Sequence, residues 1–203
     1  MVPDKNIENK KKFHWIIPSA ADWHWNWHLL QGIFKFCGKF LLLPLSQVIG
    51  YSNLDLKCAK FHFAEVFFQL VTWALGKWVV GVMENLKVKT ATELLQKLKK
   101  NILAYETVYL YVYYICPYWI ARAAIKIGDS DTVTDFWRYF IHLFIVTGKF
   151  KYTIISFRFL WVVYTVHLSV KEIYQKYRFY SFSGEPGTAI PLDGLIELVS
   201  AAA

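Results

Sequence analysis

The sequence predicts an all-α fold of membrane-embedded helices, on three observations. Of 203 residues, 56% are hydrophobic and 19% aromatic, above the roughly 45–50% apolar share of an average soluble domain. The apolar residues gather in runs about as long as a bilayer requires. One stretch, Thr107 to Ala121, is apolar, aromatic and free of charge. The expected architecture is a polytopic helical membrane protein with about four membrane-embedded helices, near residues 27–49, 61–83, 105–127 and 152–170, plus amphipathic or interfacial helices. Residues 1–14 then form a basic polar tail, 15–180 the helical membrane domain and 181–203 a loop-like C-terminal tail. Two other readings compete with four crossings: a mixture of spans and in-plane helices, and a soluble all-α protein.

The tail carries Lys5, Lys10, Lys11 and Lys12 and reads as a solvated segment beside a membrane. It lacks the apolar core of a secretory signal and the acid-free, arginine-rich character of a transit peptide, so targeting is expected to be internal or the chain mature or made on site. Trp15, Trp23, Trp25 and Trp27 crowd the entrance to the first apolar segment, where amphipathic indoles settle at a headgroup boundary. Trp27 to Tyr51 is long enough to span, but Lys35 and Lys39 share one helical face at i, i+4 and Pro44 removes a backbone hydrogen bond, which predicts a kink or an end. Gly50, Ser52, Asn53 and Asp55 mark a turn. The run Phe61 to Met83 follows, with lone charges at Glu65 and Lys77 that stand too far apart to pair within one helix.

Thr90 and Glu93 form a capping box. It opens an amphipathic helix that the periodicity continues from Thr90 to about Tyr114, with irregularity around Pro117. Residues 128–135 read as an acidic loop and 136–146 as a helix too short to span. A break follows at Thr147, Gly148 and Lys149, then the run Tyr152 to Val170. A basic, tyrosine-rich exit leads to a tail that is loop-like through Pro191, where Asp193 suits the cap of a short helical turn.

Charge placement gives a topology. The tail, the 84–104 connection and the exit hold Lys87, Lys89, Lys97, Lys99, Lys100, Lys171, Lys176 and Arg178 beside the tail lysines, whereas the opposite loops hold fewer, among them Lys57 and Lys60. That asymmetry places both termini on the cytoplasmic or matrix side. The formal net charge of +8 is spread among apolar runs, which favours anionic phospholipid and partner subunits over nucleic acid.

Site chemistry is sparse. His62, His142 and His167, one per apolar segment, are the candidate haem ligands. His24 and His28 at i, i+4 have the spacing of a metal pair, though only Asp22 or His14 stands near to complete a set. No cofactor and no metal is predicted; haem is the group the histidines would admit. Lys35, Lys39, Lys77, Arg122, Arg138 and Arg158, with Trp23, Trp25 and Trp27, are the expected lipid and partner contacts. Cys37, Cys58 and Cys116 have no paired spacing and read as small core residues. Hydrolase, kinase and zinc-protease motifs are absent from the sequence, so the chain is read as not an enzyme.

The functional expectation is a non-catalytic accessory or scaffold subunit of a larger membrane complex, of respiratory or ATP-synthase type in the mitochondrial inner membrane. The alternatives are a haem- or quinone-binding anchor of an electron-transfer complex and a small transporter or channel.

Overall fold

A computed structural model describes residues 22–51, 54–181, 183–185, 187–191, 193 and 200. The predicted basic tail 1–14, Trp15, the Lys176 side chain and most of residues 194–203 lie outside the described residues. The chain is mostly helical, as predicted, and its only strands among the described residues are β1 (Phe179–Tyr180) and β2 (Ile190–Pro191), antiparallel with Phe179 opposite Pro191.

The first helix, α1 (Asp22–Cys37), is the axis of the fold. Trp25, Leu29, Leu30, Ile33, Phe34 and Cys37 are buried along it, so apolar side chains leave it in most directions. Its N-terminus is tied from the far end of the chain. The Asp193 carboxylate accepts from the backbone N–H groups of Trp23 and His24 at 3.1 and 3.3 Å, satisfying donors that a helix start leaves open.

A π-helical turn at Gly38–Leu42 joins α1 to α2 (Leu43–Val48) in one 27-residue helical run. Pro44 therefore neither ends nor breaks the helix. Its ring would strike the carbonyl four residues back, which lies inside the widened turn, and the extra residue in that turn moves the carbonyl aside.

The connection to α3 (Phe61–Leu86) is ordered by Asp55, which accepts from the N–H groups of Lys57 and Ala59 at 2.8 and 2.7 Å. Helix α3 buries Ala64, Phe67, Phe68, Val71, Leu75 and Val79, a helical stripe, and Phe34 of α1 meets Phe67 and Phe68. Lys87, in the left-handed region, ends it.

The Thr90 half of the capping box is present, with Thr90 Oγ1 accepting from the Glu93 N–H at 3.2 Å, while Glu93 Oε2 accepts from the N–H of Lys89, one residue before the cap, at 3.1 Å. The helix it opens is shorter than the periodicity predicts. Helix α4 (Ala91–Leu98) stops, and Asn101 begins α5 (Ile102–Leu110) by accepting from the Ala104 N–H. An asparagine at this point offers the backbone a local alternative to helix, and the pattern of apolar residues does not register that. From α5 the helix continues through a second π-helical turn, Tyr111–Ile115, into α6 (Cys116–Ile127). The irregularity thus precedes Pro117, for the same steric reason as at Pro44.

Residues 128–135 are also not a loop. Gly128 ends α6 with φ of +76°, and Asp129 caps α7 (Ser130–Tyr139) by accepting from the Thr132 N–H at 3.0 Å. The expected short segment 136–146 is divided at Phe140, its first part ending α7 and its second forming α8 (Ile141–Val146), while the turn at Thr147–Lys149 stands where predicted. The run 152–170 is not one helix: α9 (Phe150–Thr165) ends at an extended Val166, and His167 begins α10 (Leu168–Tyr177).

Helix α1 packs against α6 and α8, while α7 and α9 pack together outside them. At the centre sits an ion pair. Arg178 Nε donates to Asp22 Oδ2 at 2.5 Å, and Trp137 Nε1 donates to Asp22 Oδ1 at 2.8 Å. Arg178 Nη1 donates to the Ser130 carbonyl and to Thr134 Oγ1 at 3.1 and 2.8 Å. Both charged residues are 2% exposed or less. Trp25 stacks on Trp137 beside them, with centroids 5.1 Å apart.

Two runs of described residues are long and apolar enough to cross a membrane, Asp22–Val48 and Phe61–Leu86. The first has more than half of its apolar window buried within the protein and the second 28%. The expected crossing near 152–170 fails on length, because α9 has 16 residues, about 24 Å at 1.5 Å per residue.

Removing one partner of the central pair leaves a buried charge. Arg178→Ala should cost about 3–5 kcal/mol in urea unfolding, and the Asp22→Leu, Arg178→Met double variant should cost less than Arg178→Ala alone. Asp129 gives a pH-dependent counterpart, since hydrogen bonds from the Thr132 hydroxyl and backbone hold its carboxyl below its ordinary pKa. A depressed folded pKa adds stability that is present above the unfolded value and lost as pH falls through the folded one. Asp129→Ala should cost about 1 kcal/mol at neutral pH, and the gap between its unfolding midpoint and that of the parent should begin to narrow below about pH 4 and close only below the lower folded pKa.

Candidate functional site

Helix α3 is apolar on both faces. Opposite its buried stripe, Phe63, Val66, Leu70, Trp73 and Val80 are exposed at steps of three, four or seven residues, which places them along one outer line that only Lys77, between Trp73 and Val80, interrupts. Beside this line lies an open groove of about 690 Å³ between α3 and the second π-helical turn, lined by Thr72, Trp73, Gly76, Lys77, Tyr111 and Trp119 among others. Tyr111 reaches it because Gly76 has no side chain: a Cβ there would stand 2.7 Å from the Tyr111 hydroxyl. Trp119 Nε1 donates to Thr72 Oγ1 at 2.7 Å and fixes the indole as one wall. The Lys77 ammonium lies 3.8 Å from the Trp73 ring centroid, a cation–π contact that keeps its charge at the groove. With Glu84 and Gln69 also on its lining, the groove presents aromatic faces, one cation and one carboxylate.

The lone charges of the sequence take several different partners. Glu65 accepts from Arg122 Nε at 2.7 Å and from the Tyr118 hydroxyl at 3.1 Å, joining α3 to α6. Lys35 donates to the Thr147 carbonyl at 2.6 Å, at the end of α8 where cations are favoured. Arg138 meets Asp135 at 3.4 Å on the surface. Lys39 and Arg158 are exposed. Of these predicted contacts, Lys39, Lys77, Arg138 and Arg158 thus face outward, and Arg122 is committed to an internal pair.

The three described tryptophans of the entrance separate. Trp25 is wholly buried against Trp137, Phe140 and Phe144, so it presents no surface to lipid, contrary to the expectation. Its position on the inner side of α1 decides this. Trp23 and Trp27 pack edge to face and stay part-exposed, with Trp27 Nε1 donating to the Cys58 carbonyl at 3.0 Å. Cys37 and Cys58 are buried, as predicted, and Cys116 is half-buried.

The histidines are dispersed among different partners. His142 Nε2 lies 3.2 Å from the Tyr114 hydroxyl, His167 Nδ1 lies 2.9 Å from Ser169 Oγ at the head of α10, and His62 opens α3 next to Phe63. His24 Nδ1 lies 3.2 Å from Asp193 Oδ2, and His28 Nδ1 lies 3.2 Å from Lys149 Nζ. No group of three or more His, Cys, Asp or Glu side chains gathers for a metal ion among the described residues.

Sequence reasoning missed the residues that matter most to the structure. Asp22 was weighed only as a companion to two histidines, and Arg178 only as one charge of a basic exit. An acidic residue at the head of a strongly apolar helix was the available signal for Asp22. No local pattern pointed to its partner, which lies 156 residues away.

Residues 93–201 match a protein family described as a family of unknown function (DUF6589), a stretch that begins inside α4 and takes in α5 to α10. No curated protein and no solved structure matches the chain.

The two glycines of the groove should respond oppositely to a methyl group. Gly81 has nothing within 4 Å of an added Cβ, so Gly81→Ala should raise stability by up to about 1 kcal/mol through helix propensity. Gly76→Ala gains the same propensity but must displace Tyr111. It should unfold at lower urea than Gly81→Ala and move the tyrosine ring resonances.

Proposed function

The chain belongs to this family of unknown function, and we propose that it is a non-catalytic, membrane-associated accessory subunit whose helices α3 and α9 dock against lipid and partner helices. The observation that carries the reading is the outer stripe of α3. A helix that is apolar all round belongs in a protein core or in a bilayer, and here only one side is covered by the chain itself. Helix α9 repeats the pattern with exposed Ile154, Phe157, Trp161 and Tyr164 at steps of three and four residues. With 26 residues, α3 extends about 39 Å, enough for a hydrocarbon layer of about 30 Å. In this reading α1 is the internal core helix, and α3 and α9 form the face toward the membrane.

Two observations favour this role over the alternatives. His142 and His167 are engaged with Tyr114 and Ser169 rather than directed at a common centre, which weighs against a haem anchor. Glu65 is paired with Arg122, so the acid in the apolar run of α3 is committed to holding two helices together rather than to a path for ions.

The test is extraction and native electrophoresis of the full chain. The parent should stay with membranes in alkaline carbonate and migrate in one large complex in mild detergent. Val66→Lys with Leu70→Lys should release it while leaving its helical circular dichroism unchanged. Carbonate release of the parent, with migration as a lone 23.8 kDa chain, overturns the reading.

A further inference from the structure

Away from the α3 groove, a second cluster gathers cations where α1 meets the turn between α8 and α9. His28, Gln31 and Lys35 stand at i, i+3 and i+7, one face of α1. Lys149, from the turn, donates to Gln31 Oε1 at 2.7 Å and approaches His28 Nδ1 at 3.2 Å. Lys35 Nζ is held at the same turn by the Thr147 carbonyl, and would lie 3.8 Å from a Cβ placed on Gly148. The polar partners of both ammonium groups are therefore neutral. The His28 ring packs against Tyr152, with centroids 3.8 Å apart and the planes tilted by 32°.

We propose that His28, Lys35 and Lys149 form a binding site for a phosphate group. Two ammonium groups held at one turn repel each other, and burial adds to the cost. Both effects lower the pKa of Lys149, burial first and Lys35 second; the one group that raises it is the Cys58 thiol. Among the described residues no carboxylate pairs with Lys149, whereas a phosphate would accept from both ammonium groups in charge-assisted hydrogen bonds. An ammonium donating to His28 Nδ1 also keeps the imidazole proton on Nε2, so the neutral ring positions Lys149 without offsetting its charge. Lys151 lies close enough to act on His28 and extends the positive field.

The phosphate has two possible sources, an anionic lipid headgroup or a free phosphate ester. The first deepens the membrane-associated role and rests on it; the site itself does not. The test measures inorganic phosphate binding to the full chain by phosphorus NMR line broadening, and flotation with vesicles of phosphatidylcholine alone or with phosphatidylglycerol. Lys35→Gln and Lys149→Gln should each weaken phosphate binding about fivefold, Lys149→Arg should retain it, and Lys99→Gln, in the α4–α5 break, should not change it. Recruitment by phosphatidylglycerol that Lys149→Gln abolishes, with flotation on neutral vesicles intact, identifies the lipid headgroup. Phosphate binding that needs Lys35 and Lys149, with vesicle composition without effect, keeps the site and assigns it a soluble ester. Failure to float on any vesicle overturns the membrane role alone. Equal phosphate affinity in parent, Lys35→Gln and Lys149→Gln, or no binding in a folded parent, overturns the site.

Discussion

The ion pair between Asp22 and Arg178 is the constraint on which the arrangement of helices depends. Removing both charges from water carries a large desolvation penalty, offset only when the geometry is close and the remaining donors and acceptors are satisfied. Here the Asp22 carboxylate takes the guanidinium and the Trp137 indole N–H, and the guanidinium also reaches Ser130 and Thr134. Phe159, Tyr174 and Phe179 surround it within 5.5 Å. Five segments, α1, α7, α9, α10 and β1, thus meet at one pair of charges. Apolar packing would tolerate several rotations of α1, but this network admits one. The small β pairing and the Asp193 cap extend the same lock to the C-terminal tail.

Around that centre, the chain keeps long helices despite two internal prolines by the same local device each time. Gly38–Leu42 precedes Pro44, and Tyr111–Ile115 precedes Pro117. Each π-helical turn carries the carbonyl that the proline ring would otherwise strike. The second also brings Tyr111 against Gly76 on α3 and so shapes the groove. Local backbone strain relief and the candidate site are one feature here.

The isolated charges that made the sequence read as unusual are mostly resolved inside the chain. Glu65 and Arg122 pair across two helices, Lys35 closes the end of α8, and Lys77 lies on Trp73. Lys149 differs, because its partners among the described residues, His28 and Gln31, are neutral and Lys35 acts on it with like charge. The outer sides of α3 and α9 are apolar, and the corner between α1 and the Thr147–Lys149 turn is cationic.

Much of this was legible in the sequence: the all-α class, the Thr90 cap, the turn at Thr147–Lys149, the burial of Cys37 and Cys58, and the need of Glu65 for a partner outside its own helix. These depend on spacing and backbone chemistry within a few residues, which a sequence states directly. Other features depended on the tertiary structure. Asn101 and Val166 interrupt helices that periodicity alone continues, and Asp129 converts an acidic loop into a cap. Trp25 lies inside while Trp23 stays at the surface, although both follow the same pattern. Asp22 finds Arg178, and Lys149 finds His28 and Gln31, across more than a hundred residues. Residue type and spacing set which segments become helices. Which face of each helix is covered, and which charge meets which, is fixed only when α1 is packed on all sides, because those contacts join segments whose separation leaves no local signature.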